Sequence, residues 1–137
     1  MKSLIFVVET DAEIKKILTG FLNASGIDFI FTTDLKDALT LFKQNKKIIS
    51  HIAIDTKPGV DINKEQPEIV ELAEIIANSN DFNGEVFVMS SDQTHNDDLT
   101  FIIGHKCESP VDSGCNIKKD TIKEIIRRIE KQIILSK

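Results

Sequence analysis

The sequence predicts an α/β fold in which a doubly wound parallel sheet carries helices on both faces. Short apolar runs rich in β-branched residues alternate with amphipathic helical patterns along the 137 residues. The apolar runs are nearly continuous, as strands are when both faces of a sheet are covered. Helix-length connections between such strands imply right-handed crossovers and parallel pairing.

Five segments are predicted as strands because they are apolar and bounded by polar or turn-forming residues. They are residues 3–8, 27–32, 48–55, 85–92 and 100–106. The fifth segment, TFIIGHK, is ambiguous, since the longer stretch NDDLTFIIGHK also has the spacing of a short helix. We interpret it as a strand.

Four segments between and after these strands carry apolar residues at helical spacing. They are residues 12–24, 33–47, 65–79 and a stretch within 116–135. Asp11 and Asp34 stand where N-caps are expected, and Gly26 stands where the first helix must end. The whole chain, 1–137, is therefore predicted to form a single domain.

Composition excludes several classes of function. The apolar fraction is 41%, the charged fraction is 28% and the formal net charge is −5. This acidic balance argues against direct nucleic-acid binding, and no apolar run is long enough to span a bilayer. Cys107 and Cys115 do not form a metal-ligand pattern, so we expect two free thiols in a cytoplasmic protein.

Acidic and hydroxyl side chains follow three of the predicted strands. Glu9 follows the first strand, Asp55 ends the third and Ser90 ends the fourth. Ligands of parallel sheets bind beyond the carboxyl ends of the strands. Carboxylate oxygens there suit Mg²⁺, and a carboxylate can also accept a phosphoryl group. Asp11, by contrast, is interpreted as a helix cap only.

Four short segments at these strand ends resemble the receiver domain of two-component response regulators. They are VVETDAEI (7–14), AIDTKPG (53–59), VFVMSS (86–91) and ESPVD (108–112). The resemblance extends from about residue 4 to residue 135, and it rests on the order and spacing of the segments rather than on any one of them. It implies a flavodoxin-like fold with five strands in the order 2-1-3-4-5.

The resemblance also implies roles for individual residues. Asp55 corresponds to the phosphoacceptor, and Ser90 corresponds to the switch hydroxyl. Glu9 and Asp55 are then expected to hold a weak Mg²⁺ ion in a solvent-accessible crevice, because Thr10 stands where the family has its second acid. The family carries a lysine followed by a cis-proline after its fifth strand.

At that lysine–proline position we expect Ser109 and Pro110, with a cis bond between them. The crevice would then lack the cation that balances an acyl phosphate. In a different threading of residues 93–118, Lys106 or Lys118 could supply this cation.

The resemblance implies a signalling role without enzymatic activity. We expect an atypical receiver that acts mainly through contacts with signalling proteins, such as a histidine kinase and an effector, with weak or no phosphorylation at Asp55. One alternative is a competent receiver that uses Asp55 and Mg²⁺. Another is a flavodoxin-like cofactor-binding domain, which the acidic segment ETDAE (9–13) disfavours because it would repel a phosphate. No small-molecule ligand and no membrane contact are expected.

Overall fold

The computed structural model describes residues 3–108 and 116–135 and contains a parallel sheet. Four strands form it in the order β2-β1-β3-β4, and all three neighbouring pairs are parallel. The strands are β1 (Leu4–Val8), β2 (Asp28–Thr32), β3 (His51–Ile54) and β4 (Glu85–Val88). The α/β class and the order of the first four strands are as predicted from the sequence.

Helices cover both faces of this sheet. They are α1 (Ala12–Ser25), α2 (Leu35–Asn45), α3 (Ile62–Glu65), α4 (Pro67–Asn78), α5 (Gln93–Ile103) and α6 (Ile117–Leu135). Alternate residues of β1 supply the two cores: Phe6 and Val8 pack towards α2, α4 and α5, whereas Ile5 and Val7 pack towards α1 and α6. This alternation is the period of two expected of a strand buried on both faces.

Local sequence signals set the ends of the first two helices. The Asp11 carboxylate accepts hydrogen bonds from backbone N–H groups in the first turn of α1, and Asp34 does the same for α2. Gly26 ends α1 with a φ of 70°, a left-handed conformation that glycine adopts without steric cost. The interpretation of Asp11 as a helix cap is therefore confirmed.

The prediction of a strand at residues 100–106 is wrong. Residues up to Ile103 belong to α5, and a short 3₁₀ turn follows at Gly104–Lys106. Asp92 caps α5, and Leu99 and Ile103, four residues apart, are buried on one of its faces. Helical burial of this kind needs only about one apolar position per turn, so the short apolar run was equally compatible with a helix.

Only a trace of a fifth strand is present in the described part of the chain. Cys107 forms a single parallel bridge with Val86, and the Glu108 N–H donates to the Val86 carbonyl at 2.8 Å. Cys107 is a free thiol, and burial raises its pKa. The chain thus lies beside β4, where the order 2-1-3-4-5 places the fifth strand, but the sheet itself has four strands across residues 3–108 and 116–135.

Two basic side chains fasten the outer helices to this framework. Lys106 donates to the carbonyls of Ile76 and Ser79 at 3.0 and 2.6 Å, and so satisfies the C-terminal end of α4. On α6, the Arg128 guanidinium pairs with Glu85 at 2.9 Å and with Glu108 at 2.6 Å.

Within the described ranges, no helix combines the length and the apolarity that crossing a bilayer requires.

Candidate functional site

The carboxyl ends of β1 and β3 bring two acidic side chains together. Val8 and Ile54 are register partners at the ends of these neighbouring strands, so Glu9 and Asp55 both follow directly. The Asp55 N–H donates to the Val8 carbonyl at 2.9 Å, which extends the pairing by one step. The predicted proximity of Glu9 and Asp55 is therefore present in the structure.

Both carboxyl groups are buried, which corrects the prediction of a solvent-accessible crevice. Glu9 is 0% exposed and Asp55 is 4% exposed. Burial, then the hydrogen bond with Asp55 and the charge of Asp55, together raise the pKa of Glu9 to about 8. At neutral pH, Glu9 is therefore mainly protonated, and the pair carries roughly one negative charge rather than two.

Lys118, the second residue of α6, provides the positive charge of this site. Its Nζ lies 2.8 Å from Asp55 Oδ2 and 3.6 Å from Glu9 Oε2. Burial alone would lower the pKa of Lys118, but its hydrogen bond to Asp55 and the neighbouring negative charges outweigh this effect and raise it. The lysine is thus held as an ammonium against the two acids.

This ammonium corrects the expectation that the site lacks a cation. The expectation followed from placing Ser109 at the lysine position, and it failed because the first turn of α6 points at the strand ends. Lys106, the other alternative, is bonded at the end of α4 instead. Ser109 and Pro110 lie outside the described residues, so their positions and the cis bond between them stay predictions.

Two buried oxygen atoms of the acidic pair lack hydrogen-bond partners. They are Glu9 Oε2 and Asp55 Oδ1. One proton shared between the two carboxyl groups would satisfy both atoms, as would a divalent cation in its place. Mg²⁺ is commonly held by one or two carboxylates with water completing its shell, so Glu9 and Asp55 fit such an ion. No group of three or more metal-binding side chains occurs among the described residues.

Thr10, the position at which a second acid is expected, is exposed beside the buried Glu9. We expect Thr10→Asp to tighten Mg²⁺ binding by about tenfold, because it adds a carboxylate at the rim of the site. Calorimetric titration with Mg²⁺ measures the effect. Thr40→Asp, on the exposed side of α2, adds the same charge elsewhere and serves as the control. Equal Mg²⁺ affinities in both variants would contradict a ligand position at residue 10.

Ser90, the predicted switch hydroxyl, lies at the end of β4 and is 1% exposed. Its Oγ is 2.6 Å from the hydroxyl oxygen of Thr56 and accepts a hydrogen bond from the Asp92 N–H at 3.0 Å. Asn96 fixes the backbone of Ser90 on both sides, through its N–H and its carbonyl. No hydrogen bond joins Ser90 to Asp55, so within the described structure the hydroxyl is directed to Thr56.

Two residues of this region were not predicted from the sequence. Thr56 directly follows Asp55, and its hydroxyl oxygen is 2.7 Å from Nδ1 of His95 on α5. The other ring nitrogen, Nε2, lies 2.7 Å from the Val60 carbonyl and 3.4 Å from the Asp92 carboxylate. The only available signal was the four-residue spacing of His95 and Leu99, which places both on the buried face of α5 once that segment is known to be helical.

Comparison with solved structures identifies the fold. A response regulator receiver protein from Pseudomonas putida is 19% identical, with 93% of this chain and 98% of that chain covered and a TM-score of 0.62. The response regulator TrrA from Thermotoga maritima, solved in complex with Mg²⁺ and BeF, is 18% identical over 90% and 98% of the two chains, with a TM-score of 0.58. A de novo designed Rossmann 2x3 protein is also similar, at 19% identity over 93% and 91%, with a TM-score of 0.65.

These likenesses establish the receiver-domain fold of two-component response regulators and no specific activity. The designed protein shows that the same fold also occurs in a chain made without natural descent. No protein-family model matches the sequence, and no curated protein matches it. Any specific function must therefore reside in the side chains at the strand ends.

Proposed function

We propose that this chain is an atypical receiver in two-component signalling, acting mainly through contacts with partner proteins and only slowly phosphorylated at Asp55. The observation that carries the proposal is the contact of the partly buried Lys118 ammonium with the buried pair Glu9 and Asp55. A lysine ammonium and two acids in this arrangement have little value for folding, because desolvating them offsets most of their attraction. Their presence at the strand ends therefore favours a role in chemistry or switching.

The cluster contains the groups that phosphorylation of a carboxylate needs. The Asp55 carboxylate would attack the phosphorus of a phosphohistidine or a small acyl phosphate, and the donor would depart with its bonding electrons. Lys118 would balance the negative charge that the phosphoryl group brings. Mg²⁺ held by Glu9 and Asp55 would supply further neutralisation of the phosphoryl oxygens. The chain would thus be a substrate of phosphotransfer rather than an enzyme.

Three features support slow rather than rapid phosphorylation. Asp55 is only 4% exposed, so a donor reaches it with difficulty. The neighbouring position 10 carries a neutral threonine in place of an acid, which weakens Mg²⁺ binding. The hydroxyl of Ser90 is bonded to Thr56 rather than directed at Asp55.

A competent receiver is the second candidate function. The contact of 2.8 Å between Lys118 and Asp55 favours it, because the compensating cation is then already in place. The two candidates differ in rate and affinity at the same site. A cofactor-binding role has no such support. The acidic groups of Glu9 and Asp55 at the strand ends would repel a cofactor phosphate that does not contact Lys118.

We further propose that the partners are signalling proteins of the cytoplasm, a histidine kinase and an effector among them. The net charge of −5 favours protein partners over nucleic acid. Receiver domains of both response regulators and a hybrid histidine kinase share this fold, which is compatible with either type of partner.

Binding of beryllofluoride with Mg²⁺, an acyl-phosphate analogue, tests the proposal directly. We expect weak saturable binding to the wild-type chain, monitored by amide chemical shifts, and loss of that binding in Asp55→Asn. The control is Asp98→Asn, which changes an exposed aspartate on α5 and should leave binding unchanged.

The outcomes separate the two candidates. Tight binding together with rapid labelling by acetyl phosphate would establish the competent receiver. Binding that survives Asp55→Asn would show that the analogue site lies elsewhere and would overturn both candidates.

A further inference from the structure

A buried chain of three polar side chains runs from the residue after Asp55 to α5. Its members are Ser90, Thr56 and His95, with exposed fractions of 1%, 1% and 4%. The oxygen atoms of Ser90 and Thr56 are 2.6 Å apart, and the Thr56 oxygen is 2.7 Å from His95 Nδ1. Each hydroxyl carries a single hydrogen and can therefore donate only one hydrogen bond.

The Val60 carbonyl sets the state of the His95 ring. It lies 2.7 Å from Nε2 and can only accept a hydrogen bond, so Nε2 carries a hydrogen. In a neutral imidazole the other nitrogen is then an acceptor. With the ring neutral, His95 Nδ1 accepts, and the Thr56 hydroxyl donates its only hydrogen to the ring.

The remaining short contact must run from Ser90 to Thr56. With the Thr56 hydrogen donated to His95, the only hydrogen available for the 2.6 Å contact between the two hydroxyl oxygens is that of Ser90, whose oxygen also lies 3.5 Å from the Thr56 carbonyl. The Ser90 oxygen in addition accepts from the Asp92 N–H at 3.0 Å. Ser90 then has no hydrogen left for an oxygen on Asp55.

We propose that His95 is a positioning residue that, through Thr56, holds the Ser90 hydrogen away from Asp55 and so keeps phosphorylation of Asp55 slow. The inference rests on the proposed function, because it concerns the same site. A phosphoryl group on Asp55 would carry oxygens that attract the Ser90 hydrogen. To reach them, Ser90 must break its hydrogen bond to Thr56. The buried Thr56 hydroxyl would then lack one hydrogen-bond partner, and the free-energy cost of this loss opposes the change.

The state of the His95 ring is measured first, in the unphosphorylated wild-type protein. Long-range proton–nitrogen correlation spectra at pH 8 distinguish the two neutral forms of imidazole. We expect His95 to be neutral with its hydrogen on Nε2. A hydrogen on Nδ1, or on both nitrogens, would overturn the inference, because Thr56 would then be free to donate to Ser90.

The effect on Asp55 is measured by labelling with acetyl phosphate in a double-variant cycle. Thr56→Val removes the hydroxyl acceptor and leaves only the Thr56 carbonyl, 3.5 Å from the Ser90 oxygen, so labelling should rise about tenfold. Ser90→Ala should lower the labelling rate much more in the Thr56→Val background than in the wild-type background, since the Ser90 hydrogen is engaged at Thr56 in the wild type. Adding Ser90→Ala to Thr56→Val should remove this gain. A merely structural role of Thr56 would leave Ser90→Ala with the same effect in both backgrounds and would overturn the inference.

A second variant and a distinguishing outcome complete the test. His95→Phe keeps a planar ring but accepts no hydrogen bond, so it should raise labelling in the same direction if Thr56→Val folds poorly. If the wild type is labelled at Asp55 and neither variant changes the rate, the inference is overturned but the proposed function is not. Absence of labelling at Asp55 in every variant would overturn the proposed phosphorylation and, with it, the kinetic part of the inference, whereas the ring measurement judges the hydrogen-bond direction independently.

Discussion

Replacing Lys118 with methionine is expected to destabilise the protein by about 3–5 kcal/mol at pH 7, because removing one partner of a buried ion pair leaves the other uncompensated. The Asp55 carboxylate is 4% exposed and lies 2.8 Å from the Lys118 ammonium, so water cannot take over the role of the lysine. Urea unfolding followed by circular dichroism measures the free energy of unfolding.

Two further variants isolate the ion pair. Lys119→Met, on the exposed side of the same turn, removes an equal charge and should change stability by less than about 0.5 kcal/mol. Asp55→Asn combined with Lys118→Met should recover much of the loss, because no unpaired charge remains. A cost of Lys118→Met no larger than that of Lys119→Met would show that the buried pair is not formed.

Stability is also expected to fall as the pH is lowered from about 6.5 to about 4, and His51 should account for about 3 kcal/mol of this fall. His51 is 3% exposed at the start of β3, and burial lowers its pKa from 6.5 to about 4, assisted by the charge of Arg128. The unfolded chain thus takes up a proton in this window before the folded chain does. The contribution of His51 is complete above pH 6.5 and is lost as the pH falls through 4.

Comparing variants separates His51 from other titrating groups. His51→Asn keeps a polar group within reach of Ser50, whose hydroxyl oxygen is 2.8 Å from His51 Nδ1, but it cannot take up a proton. The difference in unfolding free energy between pH 7 and pH 4.5 should therefore shrink in His51→Asn. His105→Asn, at an exposed histidine, should keep the wild-type difference. An equal pH dependence in all three proteins would mean that His51 is protonated alike in the folded and unfolded states.

Most of the architecture was predictable because its signals are local. The strands β1 to β4 are mostly apolar, and the N-caps Asp11 and Asp34 precede clear helical periods. The prediction for residues 100–106 was wrong because it relied on the same local signals. Their apolar run is short enough to satisfy either period, and only packing against α4 and β4 decides between helix and strand.

The candidate site was predictable only where sheet geometry dictates it. Glu9 and Asp55 follow neighbouring parallel strands, so their proximity follows from strand order alone. Lys118 comes from a helix that follows residues without regular periodicity, and its approach depends on how α6 packs on α1. The bonds among Thr56, Ser90 and His95 join residues 34 and 39 positions apart. No spacing rule in the sequence links such residues.

Helix α6 connects the acidic site to the surface of the protein. Its first turn is tied to Asp55 by Lys118, and ten residues further on, about 15 Å along the axis, Arg128 is tied to Glu85 and Glu108 beside β4. Between these two points, Ile122 and Ile125 of the same helix are fully buried against the sheet. Beyond Arg128 the helix ends in Ile134 and Leu135, which are 71% and 75% exposed. One helix therefore joins the charge of the site to an apolar patch at the surface, and a variant that displaces α6 is expected to alter both.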